Sequence, residues 1–541
     1  MRYRNKTTLF LGLFILVSLF FSFYKINQVP PCINADEAAF GYNAYSLLKT
    51  GKDEYGAFMP MRLVSFRDYK LPLYSYLSMP FMAVFGLNDF STRALNIVIA
   101  ALYVPLIFFL AKELFENEIA ALIAAFLVSI SPWIYILTRH AHEGPLATFF
   151  IILSVYFLIR FHKTRSVKVF LLTNISIVLA AFSYQSARLF LLFIIFSQIY
   201  ILLRSRQTIL ASKNIKYFLV LFFGVVLSFY PDIKYGVNRV QNLVFYKDPG
   251  FALRITEYLG EHPNRIIHNK LIESVRDVTN RFLLQISPEF LVINGDTNRR
   301  FGFSNLGLIT PIEYLFIFIG IYYLFKNKNR YRFFLLAFLF ISPLPNALTW
   351  QDASLIRSYI MIFSLLICVG YGIYHILIWC QNNIERKKSI FVYFTIIALF
   401  IFYAYNNWDV YFNHYPKRAV IGRAWQCGYK DLTNYIKDNY NKFERFVITD
   451  RHGQPYIYLL YYLALDPGKY QEQAKISGPD KYGFGQVDKY DKFIFKFRYD
   501  KKAKNTVYIG YPDEFNDVPV DSSQLKKINF GTDEVFWIYE T

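Results

Sequence analysis

The sequence predicts a polytopic α-helical membrane protein with a small extracytoplasmic α/β domain at its C-terminal end. Three observations lead there. Of 541 residues 55% are hydrophobic and 18% charged, whereas soluble domains carry about 25% charged residues. Apolar windows of about 20 residues, the length of helix that crosses a hydrocarbon core of about 30 Å, recur up to Tyr405. After Asn406 they stop, charge becomes frequent, and turn sequences such as Asp466-Pro467-Gly468 appear.

Arg2, Arg4 and Lys6 precede the first apolar run and place the N-terminus in the cytoplasm by the positive-inside rule. The first helix, about Thr7 to Ile26, reads as retained: Pro30-Pro31 does not resemble an A-x-A cleavage site, and further membrane segments follow. Residues 28–92 emerge outside, with an interfacial helix from Leu71 to Phe85. Crossings are then expected near Arg93 to Phe115, Ala120 to Leu137 and Pro145 to Ile159. A pair follows that turns outside at Tyr184 to Arg188, then one near Tyr217 to Phe229. A long outer loop, 232–306, holds an amphipathic stretch from Phe251 to Ile286. Thr310 to Phe325, a segment ending at Pro343, Ser358 to Trp379, and Ile390 to Tyr405 complete about eleven crossings. An odd number puts residues 406–541 outside, apart from the membrane domain of 1–405. There Asp431 to Tyr440 and Gln454 to Leu465 read as helices, and Phe446 to Thr449, Thr506 to Ile509 and Val535 to Tyr539 as strands.

Lys and Arg number 59 against 39 Asp and Glu, a formal charge of +20. Much of the excess sits in short loops between apolar segments, such as Arg160 to Lys168 and Arg386 to Lys388, where it orients the chain and does not imply nucleic acid. No Walker A loop or dinucleotide fingerprint occurs, which argues against ATP-driven or redox chemistry. The four cysteines, at 32, 368, 380 and 427, form no CxxC pair. Cys32 and Cys427 both fall outside the membrane; a disulfide is conceivable there, and two unpaired thiols are the expectation.

Charged groups at a membrane boundary are costly, so they mark candidate sites. Asp36 and Glu37 follow the first membrane exit. A carboxylate there can be poised to accept a proton from a hydroxyl; the plainer reading is a solvated loop residue or a helix N-cap. Lys70 and Arg93 supply a point charge and a bidentate cation for a phosphate at that depth, against a plainer role snorkelling to headgroups. Arg139, His140, His142 and Glu143 form a third outer cluster. A metal site there is disfavoured, because positions i and i+2 do not share a helix face. Tyr184 with Arg188, and Arg357 after Asp352, are further rim candidates. Tyr42, Tyr45, Tyr55, Tyr69, Tyr74 and Tyr76 read most simply as an aromatic belt, with stacking on a sugar ring as the sharper alternative.

Four stretches carry a family resemblance. They are Asn34-Ala35-Asp36-Glu37-Ala38-Ala39-Phe40-Gly41-Tyr42, Asp68-Tyr69-Lys70-Leu71-Pro72-Leu73-Tyr74, Phe85-Gly86-Leu87-Asn88 with Ser91-Thr92-Arg93, and Ser131-Pro132-Trp133 through Glu143. Together they resemble the bacterial branch of the GT-C glycosyltransferases, the dolichyl-phosphate-mannose protein mannosyltransferases and lipid A aminoarabinose transferases. The resemblance implies transfer of a sugar from a polyprenyl-phosphate donor to a lipid, glycan or protein hydroxyl, outside a bacterial-type plasma membrane and with inversion. It implies Asp36 as the catalytic carboxylate, Lys70 and Arg93 on the donor phosphate, and Glu37 and Glu143 shaping the acceptor or donor pocket. Glu37 is grouped with Asp36 as catalytic, and Tyr42, Asp68, Tyr69, Arg139, His140, Tyr184 and Arg188 join Glu143 as candidate pocket residues. No cofactor is called for, and a divalent metal is left open. Two departures stand out. Leu71-Pro72 replaces a Pro-Pro after the lysine, and the loop motif Asn294 to Arg300 is followed by Phe301 and Phe303 where histidine and proline are usual. The alternative function is a lipid or polysaccharide transporter or flippase, which would place charges near the bilayer midplane and not at the outer boundary.

Overall fold

The computed structural model describes residues 2–66, 68–204, 215–235, 244–302, 306–351, 353–451, 454–479 and 485–541. Phe303 and Asp352 lie outside the described residues. Among those described, six helices are long and apolar enough to cross a membrane: Lys6–Phe23, Asp89–Phe115, Glu143–Thr164, Ala187–Arg204, Ile360–Asn383 and Arg386–Lys417. A seventh span exists if Glu118–Ile130 and Pro132–Thr138, bent by 52° at their junction, count as one. The uninterrupted helix expected from Ala120 to Leu137 is therefore broken. Pro132 supplies no N–H and drives Ser131 into an extended conformation, φ −63° and ψ 123°. Expectation put the count at about eleven. The difference lies in segments such as Val167–Ser183, whose 17 residues rise only about 26 Å, and Arg332–Ala347, interrupted at Pro343.

The chain divides into two compact units, one of Met1–Tyr24, Ile97–Thr138 and Glu143–Asp409, the other of Lys25–Asn96, Arg139–His142 and Val410–Thr541. The first is helical. Within it Pro311–Lys326 packs on Ile360–Asn383 through glycines: a Cβ on Gly320 would lie 2.1 Å from the Cys368 carbonyl oxygen, and one on Gly372 2.3 Å from that of Phe316. Small residues let the two backbones touch, the usual device where lipid removes any hydrophobic drive between helices. The amphipathic stretch of the long loop forms two helices, Pro249–Glu261 and Lys270–Ile286. Arg254 ties them, donating to Glu273 at 2.8 Å and to Asp277 at 2.7 Å.

The second unit contains the helix Ala35–Thr50, a hairpin of β1 (Leu63–Ser65) and β2 (Asp68–Lys70), the helix Leu73–Phe85, and a seven-stranded sheet. The sheet strands are β3 (Arg445–Ile448), β4 (Lys475–Pro479), β5 (Gly485–Tyr490), β6 (Phe493–Phe495), β7 (Thr506–Gly510), β8 (Lys526–Phe530) and β9 (Asp533–Glu540), in the order β4-β5-β6-β3-β7-β9-β8. β3 runs parallel to both β6 and β7, and the outer pairings are antiparallel. Period-two alternation sorts the side chains. Phe446, Ile448, Val507, Ile509, Phe536 and Ile538 face one core, and Val447 and Tyr508 face a second. β4, β5, β6 and β8 join the three expected strands.

The compact units do not follow the expected boundary at 405/406. Residues of the first outer segment, Ala38, Ala39 and Tyr42, share one core with Leu432, Ile457, Tyr470 and the sheet. Cys32 and Cys427, 395 residues apart, form a disulfide, which corrects the expectation of two unpaired thiols. Cys368 and Cys380 are buried thiols.

Candidate active site

The site grows from a helix start. Asn34 caps Ala35–Thr50 by accepting from the backbone N–H groups of Asp36 and Glu37, while the Glu37 side chain accepts from the Asn34 N–H, a reciprocal capping box. Asn34, not Asp36, is thus the N-cap. Successive positions on the first turn point in different directions, so the two carboxylates reach different surroundings.

Glu37 turns inward and is 1% exposed, as is Arg93. Arg93 Nε donates to Oε1 and Nη2 to Oε2, both at 3.0 Å. Its remaining donors reach the carbonyls of Ile26 at 3.2 Å and Cys32 at 2.7 Å. Glu37 also accepts from the Ala141 N–H at 2.8 Å. Arg139, equally buried, donates from Nε to the Val29 carbonyl at 3.0 Å and lies 4.9 Å over the Phe412 ring. His140 meets Trp425 edge-on, and the carbonyls of His140 and His142 accept from Asn96. These groups pin the chain around residue 140 to the start of the Asp36 helix.

Asp36 turns outward. Lys70 Nζ donates to its Oδ1 at 2.8 Å; the lysine side chain is 3% exposed and the aspartate 45%. The ammonium also lies 4.7 Å from the Phe40 ring centre and 5.0 Å from that of Phe66, and both ring faces favour a cation. A buried cation is thus held against a carboxylate that opens to solvent. Lys70 ends β2, whose register sets it opposite Leu63, Tyr69 opposite Val64 and Asp68 opposite Ser65. Tyr69 is half-buried. The side chain of Asp68 lies outside the described residues.

Tyr42 belongs to the core. It is fully buried, its hydroxyl donates to the Leu465 carbonyl at 3.1 Å, and its ring meets Tyr470 edge-on. Glu143, Tyr184 and Arg188 fall in the helical unit, where Arg188 pairs with Asp232 at 2.7 Å. Among the described residues no group of three His, Cys, Asp or Glu side chains is arranged to hold a metal.

Sequence reasoning missed a second buried carboxylate. Glu54 accepts from Asn43 Nδ2 at 2.8 Å and from the Tyr456 hydroxyl at 3.0 Å. Burial pushes its carboxyl up to about 8, against the opposing pull of Tyr456. Asp53 is raised in the same direction by burial, opposed by the N–H groups of Ala57 and Tyr55. In the helical unit Asp296, from the motif 294–300, accepts from the N–H groups of Asn298 and Leu355, and burial raises it to about 6. An acidic pair in a turn carries no sequence signal for such burial.

Residues 70–231 match the profile of the dolichyl-phosphate-mannose-protein mannosyltransferase family. That range takes in Lys70, Arg93, Arg139, His140, Glu143, Tyr184 and Arg188, and starts after Asp36. No curated protein sequence is matched. Among solved structures, apo ArnT from Cupriavidus metallidurans is 11% identical with a TM-score of 0.53, over 99% of this chain and 98% of that one. The same protein bound to undecaprenyl phosphate gives 11%, 0.54, and 97% of both chains. The oligosaccharyltransferase AglB from Archaeoglobus fulgidus, in complex with an inhibitory peptide and a dolichol-phosphate, is 12% identical with a TM-score of 0.48, over 85% of this chain and 64% of that one. The chain thus spans less than two thirds of the AglB length. The chain shares the fold of ArnT along nearly its whole length, and its residues 70–231 are similar to the dolichyl-phosphate-mannose-protein mannosyltransferase family.

Proposed function

We propose that the protein moves a sugar from a polyprenyl-phosphate donor to an acceptor hydroxyl at the extracytoplasmic face of the membrane, with inversion at the anomeric carbon. The observation that supports this most directly is the pair of a half-open Asp36 carboxylate and a buried Lys70 ammonium 2.8 Å apart. Asp36 takes the proton of the acceptor hydroxyl as its oxygen attacks the anomeric carbon. The bond from that carbon to the phosphate oxygen breaks, and the polyprenyl phosphate leaves with its added charge met by Lys70. Phosphate is a competent leaving group, so the reaction needs no separate acid.

Arg93 fits this reading in a different place from the phosphate. Its guanidinium is committed to Glu37 and two carbonyls, and in this role it fixes the helix start that aims Asp36. The Cys32–Cys427 disulfide favours an oxidising compartment for this unit. The test is turnover with a panel of radiolabelled polyprenyl-phosphate sugars. Wild type should release free polyprenyl phosphate, and Asp36→Asn should lose about 10²-fold or more, the usual worth of a general base, while keeping its melting temperature. Near-normal turnover by Asp36→Asn would remove the proposed base.

A further inference from the structure

The sheet of the second unit ends in a cleft that the transfer chemistry does not use. β3 and β7 are parallel neighbours. The chain leaving the C-terminal end of β3 supplies Arg451, and that leaving β7 supplies Tyr511 and Asp513. With Arg423, Phe530 and Asp533 they line a cleft of ≈ 660 Å³. Open α/β sheets take their ligands outside the carboxyl ends of the strands, and sites for small molecules measure about 300–1,000 Å³.

The lining selects a ligand class. Arg423 pairs with Asp533 at 2.8 Å and Arg451 with Asp513 at 2.6 Å, and all four side chains are at least partly exposed. Arg451 also lies 5.5 Å over the Tyr511 ring. Counting Glu534, the cleft holds more carboxylates than guanidiniums, which disfavours a phosphate or other anion. A rim of ion pairs also disfavours a lipid chain, because those charges would lose their water. Vicinal hydroxyls suit it: one donates to a carboxylate while its neighbour accepts from the planar guanidinium fork. Tyr511 and Phe530, both partly exposed, add aromatic surface to the lining, which suits the C–H side of a pyranose ring.

We propose that this cleft binds a neutral oligosaccharide, the acceptor glycan of the transfer reaction. The acceptor role rests on the reading above; saccharide binding does not. Gln426 also lines the cleft, and its Oε1 accepts from the Ala35 N–H at 3.1 Å and from the Tyr458 hydroxyl at 2.7 Å. Ala35 precedes Asp36, and the next residue after Gln426 is disulfide-bonded Cys427. The cleft wall is therefore tied to the first residue of the helix that carries the candidate base by a hydrogen bond, and to the segment leading into that helix by a covalent link.

The experiment is saturation-transfer difference NMR on the full-length protein in detergent, with α-1,6-mannobiose, cellobiose and N,N′-diacetylchitobiose as probes. Two cleft variants are compared with wild type and Asp36→Asn. Thr532→Trp fills the cleft from an exposed lining position, and Arg451→Met/Asp533→Asn removes one partner from each ion pair. At least one disaccharide should give saturable transfer to wild type and to Asp36→Asn, weakened at least tenfold in both cleft variants with the melting temperature kept. No saturable transfer to folded wild type from any of the three, or transfer unchanged in both cleft variants, would overturn the proposal. Cleft-dependent binding without turnover from any donor would leave the saccharide site standing and remove the transfer reading alone.

Discussion

Replacing Arg93 with methionine separates its two possible roles. The guanidinium and Glu37 are each 1% exposed and joined by two 3.0 Å hydrogen bonds. Methionine fills similar volume but leaves Glu37 with only N–H donors, and the carbonyls of Ile26 and Cys32 without the guanidinium. Removing one partner of a buried ion pair costs about 3–5 kcal/mol, mostly as the uncompensated charge left behind. In a unit of about 200 residues each kcal/mol moves Tm by about 2–4 °C, so the expected fall is about 6–20 °C. Differential scanning fluorimetry in detergent reads it directly. Arg93→Met/Glu37→Gln should recover at least about 1 kcal/mol relative to the sum of the single changes, since the stranded charge is gone. If Arg93 instead served the donor phosphate, Arg93→Met would melt normally and raise the donor KM. A Tm change under about 3 °C, or strict additivity, would refute the buried-strut assignment.

Other outcomes follow from the same geometry. Lys70→Met should lower kcat by about 10²–10³-fold, the usual cost of losing one donor to developing charge, measured by donor turnover; a change below about threefold would take Lys70 off the phosphate. Glu54 is raised by burial to about 8 from an ordinary 4.5. Its neutral form is therefore the one folding favours, and its contribution is full below about pH 4.5 and lost as pH rises to about 8. Tm of wild type should decline across that window and Glu54→Gln should flatten the decline, as melting curves in a pH series will show. Non-reducing peptide mapping should recover Cys32 cross-linked to Cys427, and Cys32→Ser/Cys427→Ser should lose about 2–5 kcal/mol of stability.

What was legible in the sequence was local. The carboxylates at Asp36 and Glu37 read as a possible helix N-cap, and a helix does start there, with Asn34 two residues earlier as its cap. Long apolar runs became helices because backbone groups in lipid can be satisfied only internally. The bend at Ser131-Pro132 was written in the proline, but the apolar run on both sides masked it. The strands β3, β7 and β9 are rich in β-branched and aromatic residues, whereas β8 opens Lys526-Lys527 and β5 carries Asp488-Lys489. β8 lies at the sheet edge, where its lysines discourage further pairing, while β5 is paired on both sides; in neither do the charges leave an alternation to read.

Candidate residues were easier to find than their partners. Asp36, Glu37, Lys70 and Arg93 stood out as charges at a membrane boundary. That Lys70 would meet Asp36 and Arg93 would meet Glu37 depends on how the β1–β2 hairpin and the helix Asp89–Phe115 fold back on one capped turn. The Cys32–Cys427 link spans 395 residues, and cysteine spacing does not specify connectivity. Tyr42 read as a belt or stacking residue, because a sequence pattern cannot tell an interfacial tyrosine from one whose hydroxyl finds a buried carbonyl.

The central claim is that the half-open carboxylate beside Lys70 performs sugar transfer from a lipid phosphate. The measurement that tests it most directly is release of free polyprenyl phosphate from radiolabelled polyprenyl-phosphate sugars by purified wild type and Asp36→Asn, with a mixed acceptor extract. The account expects release by wild type with one donor and a loss of about 10²-fold or more in Asp36→Asn. No release from any donor by a folded wild type, or equal release by both proteins, would contradict it.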